Sequence, residues 1–138
     1  FGFAGGQLSV TNLVSNSGVV AADVSGVGTA RHYLGAAAYG GDKAIFGYGD
    51  TGSKVSLTNL VNNSGVVAAD VTGVGTARTE IAAASYGGDK AIFGYGNGGS
   101  GKVATTNLVN NSGVVGSDVS GVGTVRRASE AAGYSYSA

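Results

Sequence analysis

Residues 58–78 have the sequence TNLVNNSGVVAADVTGVGTAR, and near-identical copies of this stretch occupy residues 11–31 and 106–126. The three copies begin 47 and 48 residues apart. A second shared segment, YGGDKAIFGYG, is complete at residues 39–49 and again at residues 86–96. Self-similarity at such a period is the sequence signature of a repeat architecture, and here it dominates every other signal.

Each repeat divides into four strand-sized pieces, which in the second copy are residues 36–39, 43–49, 54–61 and 65–71. The segments Gly-Gly-Asp and Asn-Asn-Ser-Gly separate them and are typical of hairpin turns. No stretch sustains a 3.6-residue period, so no helix is predicted. A four-stranded unit at this spacing is typical of a propeller blade. We therefore predict an all-β β-propeller built of four-stranded antiparallel blades, with three blades per chain.

The alternation along residues 43–49 predicts how blades stack. It puts Phe46 and Tyr48 on one bulky face of the strand and Gly47 and Gly49 on the opposite face. A bulky face backed by glycines suits sheets that lie close together.

The phase of the repeat predicts a split blade within one domain, residues 1–138. The chain opens inside the second piece and ends after the first piece, because Tyr134 corresponds to Tyr39 and Tyr86. The blades are then residues 31–77, residues 78–125, and about 1–30 completed by 128–138 or by a neighbouring chain. Since propellers have four to eight blades, we predict a homo-oligomer, with a six-bladed dimer favoured.

The order of these segments resembles the kelch repeat: an arginine, a small-residue strand, a short turn, an aliphatic–aromatic strand ending in glycines, then a further strand. The chain departs from that family in having no tryptophan. The resemblance implies a propeller that serves mostly as a binding scaffold. Some kelch-like propellers are sugar oxidases, but their copper-radical site needs a Cys-linked tyrosine and histidine ligands, and this chain has no Cys and one His, His32.

Composition excludes several classes of function. Eight basic residues balance eight acidic ones, so charge gives no reason to expect nucleic acid as a partner. The apolar runs are far too short to predict membrane insertion. The Gly-Val-Gly-Thr segments lack the Gly-Lys-Ser/Thr and following helix of a phosphate-binding loop. We therefore expect no catalytic residues, no metal and no cofactor, and the chain is predicted not to be an enzyme.

Two sets of residues are candidates for a site. The first lies where the copies differ, after each repeat arginine, and we expect this variable face to bind a glycan or protein: His32, Tyr33, Thr79, Glu80, Arg127 and Glu130. The second recurs once per repeat, and we expect Asp–Arg pairs that support the turns, although a ring binding an ion or anion is the alternative: Asp23, Asp70, Asp118, Arg31, Arg78 and Arg126.

These observations predict a non-enzymatic binding or adhesion module. An extracellular or virion-surface location, as on a phage tail fibre, suits such glycine-rich tandem repeats. The competing interpretation of the variable face is free drift, in which case the chain is a self-assembling structural, designed or reconstructed scaffold with no ligand.

Overall fold

The computed structural model describes residues 1–133, which form short strands, turns and irregular segments with no helix, and hence no helix that could cross a membrane. The strands are β1 (Gly2–Phe3), β2 (Gln7–Leu8), β3 (Gly35–Tyr39), β4 (Lys43–Gly47), β5 (Thr58–Val61), β6 (Ala82–Tyr86), β7 (Lys90–Gly94), β8 (Asn97–Gly98), β9 (Gly101–Lys102) and β10 (Thr106–Val109). Every pairing between strands is antiparallel. The all-β prediction is confirmed.

The second and third repeats each form a sheet in which the strands follow chain order. One sheet is β3-β4-β5 and the other is β6-β7-β10. The fourth predicted piece of the second repeat is no regular strand and meets β5 at two isolated bridges, Thr58 with Val71 and Val61 with Val67. The pairing shifts by one residue between these bridges, so the outer segment contains a bulge.

The core lies between these two sheets. Phe93 on β7 is fully buried, and a Cβ added to Gly47 on β4 would come within 2.6 Å of its ring. The glycine face of one sheet therefore receives the bulky face of the next, as the alternation predicts. Phe46 faces the other way, with its ring centroid 5.1 Å from that of Phe1.

Tyr48 corrects the predicted alternation. Its ring lies 5.2 Å from that of Phe93, on the side opposite to Phe46, although the two residues are separated by one position. The cause is the backbone: Tyr48 has φ of 63°, a left-handed conformation that ends the pleat after Gly47. The predicted strand 43–49 accordingly ends two residues early.

The same interruption ties the sheets together. Beyond Gly35 the pairing stops for two residues and resumes where His32 bridges Asp50. Freed backbone groups then bond to the neighbouring repeat: Gly49 N donates to Arg78 O at 2.9 Å, and Glu80 N donates to Tyr33 O at 2.9 Å. Consecutive repeats are thus joined by main-chain hydrogen bonds as well as by side-chain packing.

The described residues do not close into a ring. The chain after Arg126 continues the stack, since Ala128 N donates to Glu80 O at 3.0 Å and Gly133 packs against Ser85 of β6. Within residues 1–133, β1 pairs with β2 alone. The strand predicted around Tyr134 lies outside the described residues.

Candidate functional site

The repeat arginines lie at the centre of a buried network. Arg78 is fully buried, and its Nη2 donates to Asn107 Oδ1 at 2.5 Å. Its Nη1 lies 3.8 Å from Asp118 Oδ1, and Asp118 in turn accepts hydrogen bonds from Thr76 N at 3.1 Å and Thr76 Oγ1 at 2.6 Å. Asn107 Nδ2 donates to Asp118 Oδ1 at 2.9 Å, which closes the set.

The preceding repeat has a similar network on equivalent residues, except that Arg31 Nε also donates to Tyr48 O at 2.9 Å, whereas Arg78 Nε is buried without a hydrogen-bond partner among the described residues. Arg31 Nη2 donates to Asn59 Oδ1 at 2.5 Å, Arg31 Nη1 lies 3.7 Å from Asp70 Oδ1, and Thr29 Oγ1 donates to Asp70 at 2.6 Å. Burial raises the pKa of Asp70, but hydrogen bonds from Thr29 and Asn59 and the charge of Arg31 outweigh it and hold that pKa below its usual value. Burial lowers the pKa of Arg31, partly offset by Asp70. The predicted Asp–Arg pairs exist here and serve as structural ties; we call each set a junction network.

Each arginine also contacts the repeat before its own sheet. The Arg78 guanidinium lies 4.6 Å from the ring centroid of Tyr48, whereas Arg31 lies 4.5 Å from that of Phe1. Such cation–π contacts are strengthened where water is excluded. The junction network therefore couples two successive repeats rather than supporting a single turn.

The last repeat arginine, Arg126, and the first repeat aspartate, Asp23, belong to no complete junction network among residues 1–133. Arg126 is exposed and hydrogen bonds to its neighbour, Nη1 donating to Thr124 O at 3.3 Å. Asp23 is also exposed and accepts from Asn12 Nδ2 at 2.8 Å. Arg126 thus has no Asn–Asp pair facing it, and Asp23 has no arginine.

The variable face forms a continuous row along one end of the sheets. The ring centroids of Phe3 and His32 are 5.2 Å apart, and those of His32 and Tyr33 are 4.2 Å apart. Tyr33 and Glu80 are joined through their backbones, and Arg127 Nη1 donates to Glu80 Oε1 at 3.1 Å. We call Phe3, His32, Tyr33, Glu80 and Arg127 the variable row.

The row is aromatic at one end, from Phe3 to Tyr33, and charged at the other, at Glu80 and Arg127. Tyr33 is 59% exposed, so a flat aromatic face is available to a ligand beside the Glu80–Arg127 ion pair. Tyr33 and Glu80 have φ of 55° and 54°, which turns these side chains out of the sheet pleat. His32 Nδ1 is buried and has no hydrogen-bond partner among the described residues. Aromatic stacking and charged hydrogen bonds are what the row offers chemically.

Two predicted members lie apart from this row. Thr79 is 3% exposed and bridges Asn97 through its backbone, so its side chain is not accessible. Glu130 is exposed and makes no ion pair among residues 1–133. Phe3 was not predicted, because the sequence aligns it with Tyr48 of the second piece, whereas the candidate face was drawn from the segments after each repeat arginine.

The opposite end of the sheets carries the turns that hardly vary. Asn63 Nδ2 donates to Asp42 Oδ2 at 3.2 Å, and Asn111 Nδ2 donates to Asp89 Oδ2 at 3.1 Å, so both kinds of turn meet at this end. The part of the chain that the structure describes contains no group of three His, Cys, Asp or Glu side chains arranged to hold a metal ion.

Comparison with known proteins adds no family to this description. No protein-family model matches the chain, and no curated protein is similar to it.

Proposed function

We propose that this chain is a non-enzymatic binding module of kelch-like propeller type, and that the variable row is its ligand-binding surface. The observation that carries the proposal is the contiguity of the row. Residues that differ between otherwise near-identical repeats lie side by side at one end of the sheets. Diversity on a rigid frame is typical of a recognition surface.

The chemistry of the row favours a glycan as the ligand. An exposed tyrosine ring suits stacking on the apolar face of a sugar, and the adjacent Glu80–Arg127 pair suits hydroxyl groups through charged hydrogen bonds. A protein loop with a mixed polar and aromatic surface is the other class that this row fits.

An array of defined oligosaccharides tests the proposal. The variant Tyr33→Ala, Glu80→Ala, Arg127→Ala should lose the signals that the unaltered chain gives. The matched control is Asp42→Ala, Asn63→Ala, Asp89→Ala, which removes two exposed polar side chains and the half-buried Asp89 at the opposite end. Binding that survives in the first variant, or that is lost equally in the control, contradicts the assignment of the row.

A self-assembling scaffold is the second candidate function. It is favoured by the unmatched arginine and aspartate at Arg126 and Asp23, and it is compatible with ligand binding because the two functions use different residues.

A further inference from the structure

Each junction network has two halves that come from different parts of the chain. One half is a connector, the Gly-Thr-x-Arg segment that crosses from one repeat to the next. The other half is an Asn–Asp pair on the third and fourth pieces of a sheet. The two complete networks join the connector of residues 28–31 to Asn59 and Asp70, and the connector of residues 75–78 to Asn107 and Asp118.

The third connector has the conformation of the other two although no segment within residues 1–133 faces it. Gly123 has φ of 81°, against 76° for Gly75. Tyr95 Oη donates to Val122 O at 3.2 Å, as Tyr48 Oη donates to Val74 O at 3.2 Å. A Cβ at Gly75 would collide with the Asp118 carboxylate, whereas a Cβ at Gly123 would meet nothing within 4 Å.

The guanidinium of Arg126 on this connector also has the position that Arg78 has in the complete network. Arg126 lies 3.5 Å from the ring centroid of Tyr95, on the equivalent of the aromatic that supports Arg78. Val122 beside it is 83% exposed, whereas Val74 in the complete network is 37% exposed. The third connector is thus a donor half that already has its paired conformation and that residues 1–133 leave uncovered.

The first repeat holds the matching acceptor half. Asn12 Nδ2 donates to Asp23 Oδ1 at 2.8 Å and to Ala21 O at 3.0 Å. In the complete network, Asn59 Nδ2 makes the same two bonds, to Asp70 Oδ1 at 2.9 Å and Ala68 O at 3.0 Å. The carboxylate and amide are therefore positioned for a Thr-x-Arg segment that residues 1–133 do not supply.

We propose that a second copy of this chain supplies it, so that the connector of residues 123–126 in one copy docks on Asn12 and Asp23 of the next. The composite blade formed in this way would place residues 128–133 of the first copy beside β1 of the second. The Arg126 guanidinium would then face the Asp23 carboxylate, and Thr124 would donate to Asp23 as Thr76 donates to Asp118. The new interface would continue one that the chain already makes twice within itself.

The two halves are unable to meet within one chain as described. Arg126 O accepts from Gly96 N at 2.9 Å, and Ala128 N bonds to Glu80, so the connector is held on the third repeat. Two copies joined head to tail have two junctions and six blades, which lies within the range of four to eight seen in propellers, whereas three copies would give nine. None of the residues at this junction belongs to the variable row, so association of two copies does not depend on ligand binding.

Native mass spectrometry of the full 138-residue chain tests the inference, with twice 13.3 kDa as the expected mass. Asp23→Arg alone and Arg126→Asp alone each place like charges at both junctions, and each should raise the dissociation constant at least about 30-fold. An equimolar mixture of the two variants should form a heterodimer, because one junction is then unaltered and the other carries the pair in exchanged order. The double variant should also recover the dimer.

Asp42→Arg and Lys102→Asp are the matched controls, since they change the charge equally at exposed sites away from the junction. Both should remain dimeric, and circular dichroism of every variant should match the unaltered chain. A strict monomer at micromolar concentration overturns the proposal. So does an oligomer that survives both single reversals, or two single variants that fail to recover on mixing while keeping the native spectrum.

Discussion

Replacing one glycine in each of two equivalent connectors separates backbone strain from the junction network. Gly75 and Gly123 have φ of 76° and 81°, so an alanine at either position has the same left-handed strain, about 1 kcal/mol. They differ in surroundings. A Cβ at Gly75 would collide with Asp118 and come within 2.7 Å of Asn107 Nδ2, whereas a Cβ at Gly123 would meet nothing within 4 Å.

The extra cost at Gly75 follows from what Asp118 has to give up. To make room, its carboxylate must withdraw from Thr76, which donates through both N and Oγ1, and from Asn107. Hydrogen bonds to a charged group contribute about 1.5–3 kcal/mol each. The Asp118 side chain is 34% exposed, so water replaces part of this loss, and we expect about 3 kcal/mol beyond the shared strain. Gly75→Ala should therefore cost about 4 kcal/mol and Gly123→Ala about 1 kcal/mol.

Urea unfolding followed by far-ultraviolet circular dichroism measures this difference. Both variants are compared in an Asp23→Arg background, which keeps Gly123 free of a partner copy. With a urea dependence of about 1–3 kcal/mol per molar, the extra 3 kcal/mol should lower the midpoint of Gly75→Ala by about 1–3 M relative to Gly123→Ala. Equal midpoints, or a lower midpoint for Gly123→Ala, would refute the account of the network.

Three further predictions follow from burial and charge. The pKa values of Asp70 and Asp118 are lowered in the folded chain, so both ionised carboxylates stabilise the fold at pH values above the unfolded-state pKa near 4. We therefore compare the unaltered chain with the double variant Asp70→Asn, Asp118→Asn. The difference between their free energies of unfolding should be constant above about pH 5 and shrink below about pH 4 in acid unfolding curves. Burial raises the pKa of Tyr48 to about 12, so ultraviolet titration of a Tyr48→Phe variant should lack one late-titrating phenol of the unaltered chain. Phe93→Ala should cost about 3–5 kcal/mol in urea unfolding, because Phe93 is fully buried, and the half-buried Phe46→Ala should cost less.

The sequence predicted the all-β fold and the stacking of a bulky face on a glycine face because both follow from local chemistry. Turn residues separate short β-prone runs, and Phe93 and Gly47 occupy fixed positions of the pleat. Tyr48 could not be placed in this way, since alternation assumes an unbroken strand. Its left-handed φ, and that of Tyr33, depend on hydrogen bonds made to the neighbouring repeat. Closure into a propeller stays a prediction.

The sequence predicted part of the junction network, the Asp–Arg pairs, but not the role of the asparagine. Asp and Arg recur at matching positions, and Asp–Arg pairs were predicted, but the structure was needed to show that the partners lie 39 residues apart, as in Arg31 with Asp70. Asn59 recurs equally well, but its role depends on a bulge in the outer segment that turns Ala68 O toward its amide. The spacing of residues in the sequence does not predict that bulge. The variable row was predicted as a face, and its order along that face required the structure.

The junction networks make the stability of each repeat depend on the repeats next to it. Arg31 and Arg78 each stack on an aromatic of one repeat and hydrogen bond into the next, so stability is shared between adjacent units, as in other repeat proteins. One chain contains two complete networks, whereas a ring of two copies would contain six, or three per chain. Association through Asp23 and Arg126 should therefore stabilise folding as well as join copies.

Unfolding midpoints should consequently rise with protein concentration, because a partner that binds only the folded state stabilises it by mass action. The Asp23→Arg variant should show a constant midpoint over the same range of concentration. Urea unfolding at concentrations a hundredfold apart makes the comparison. If both proteins respond alike to concentration, the open half-networks are not what joins the copies.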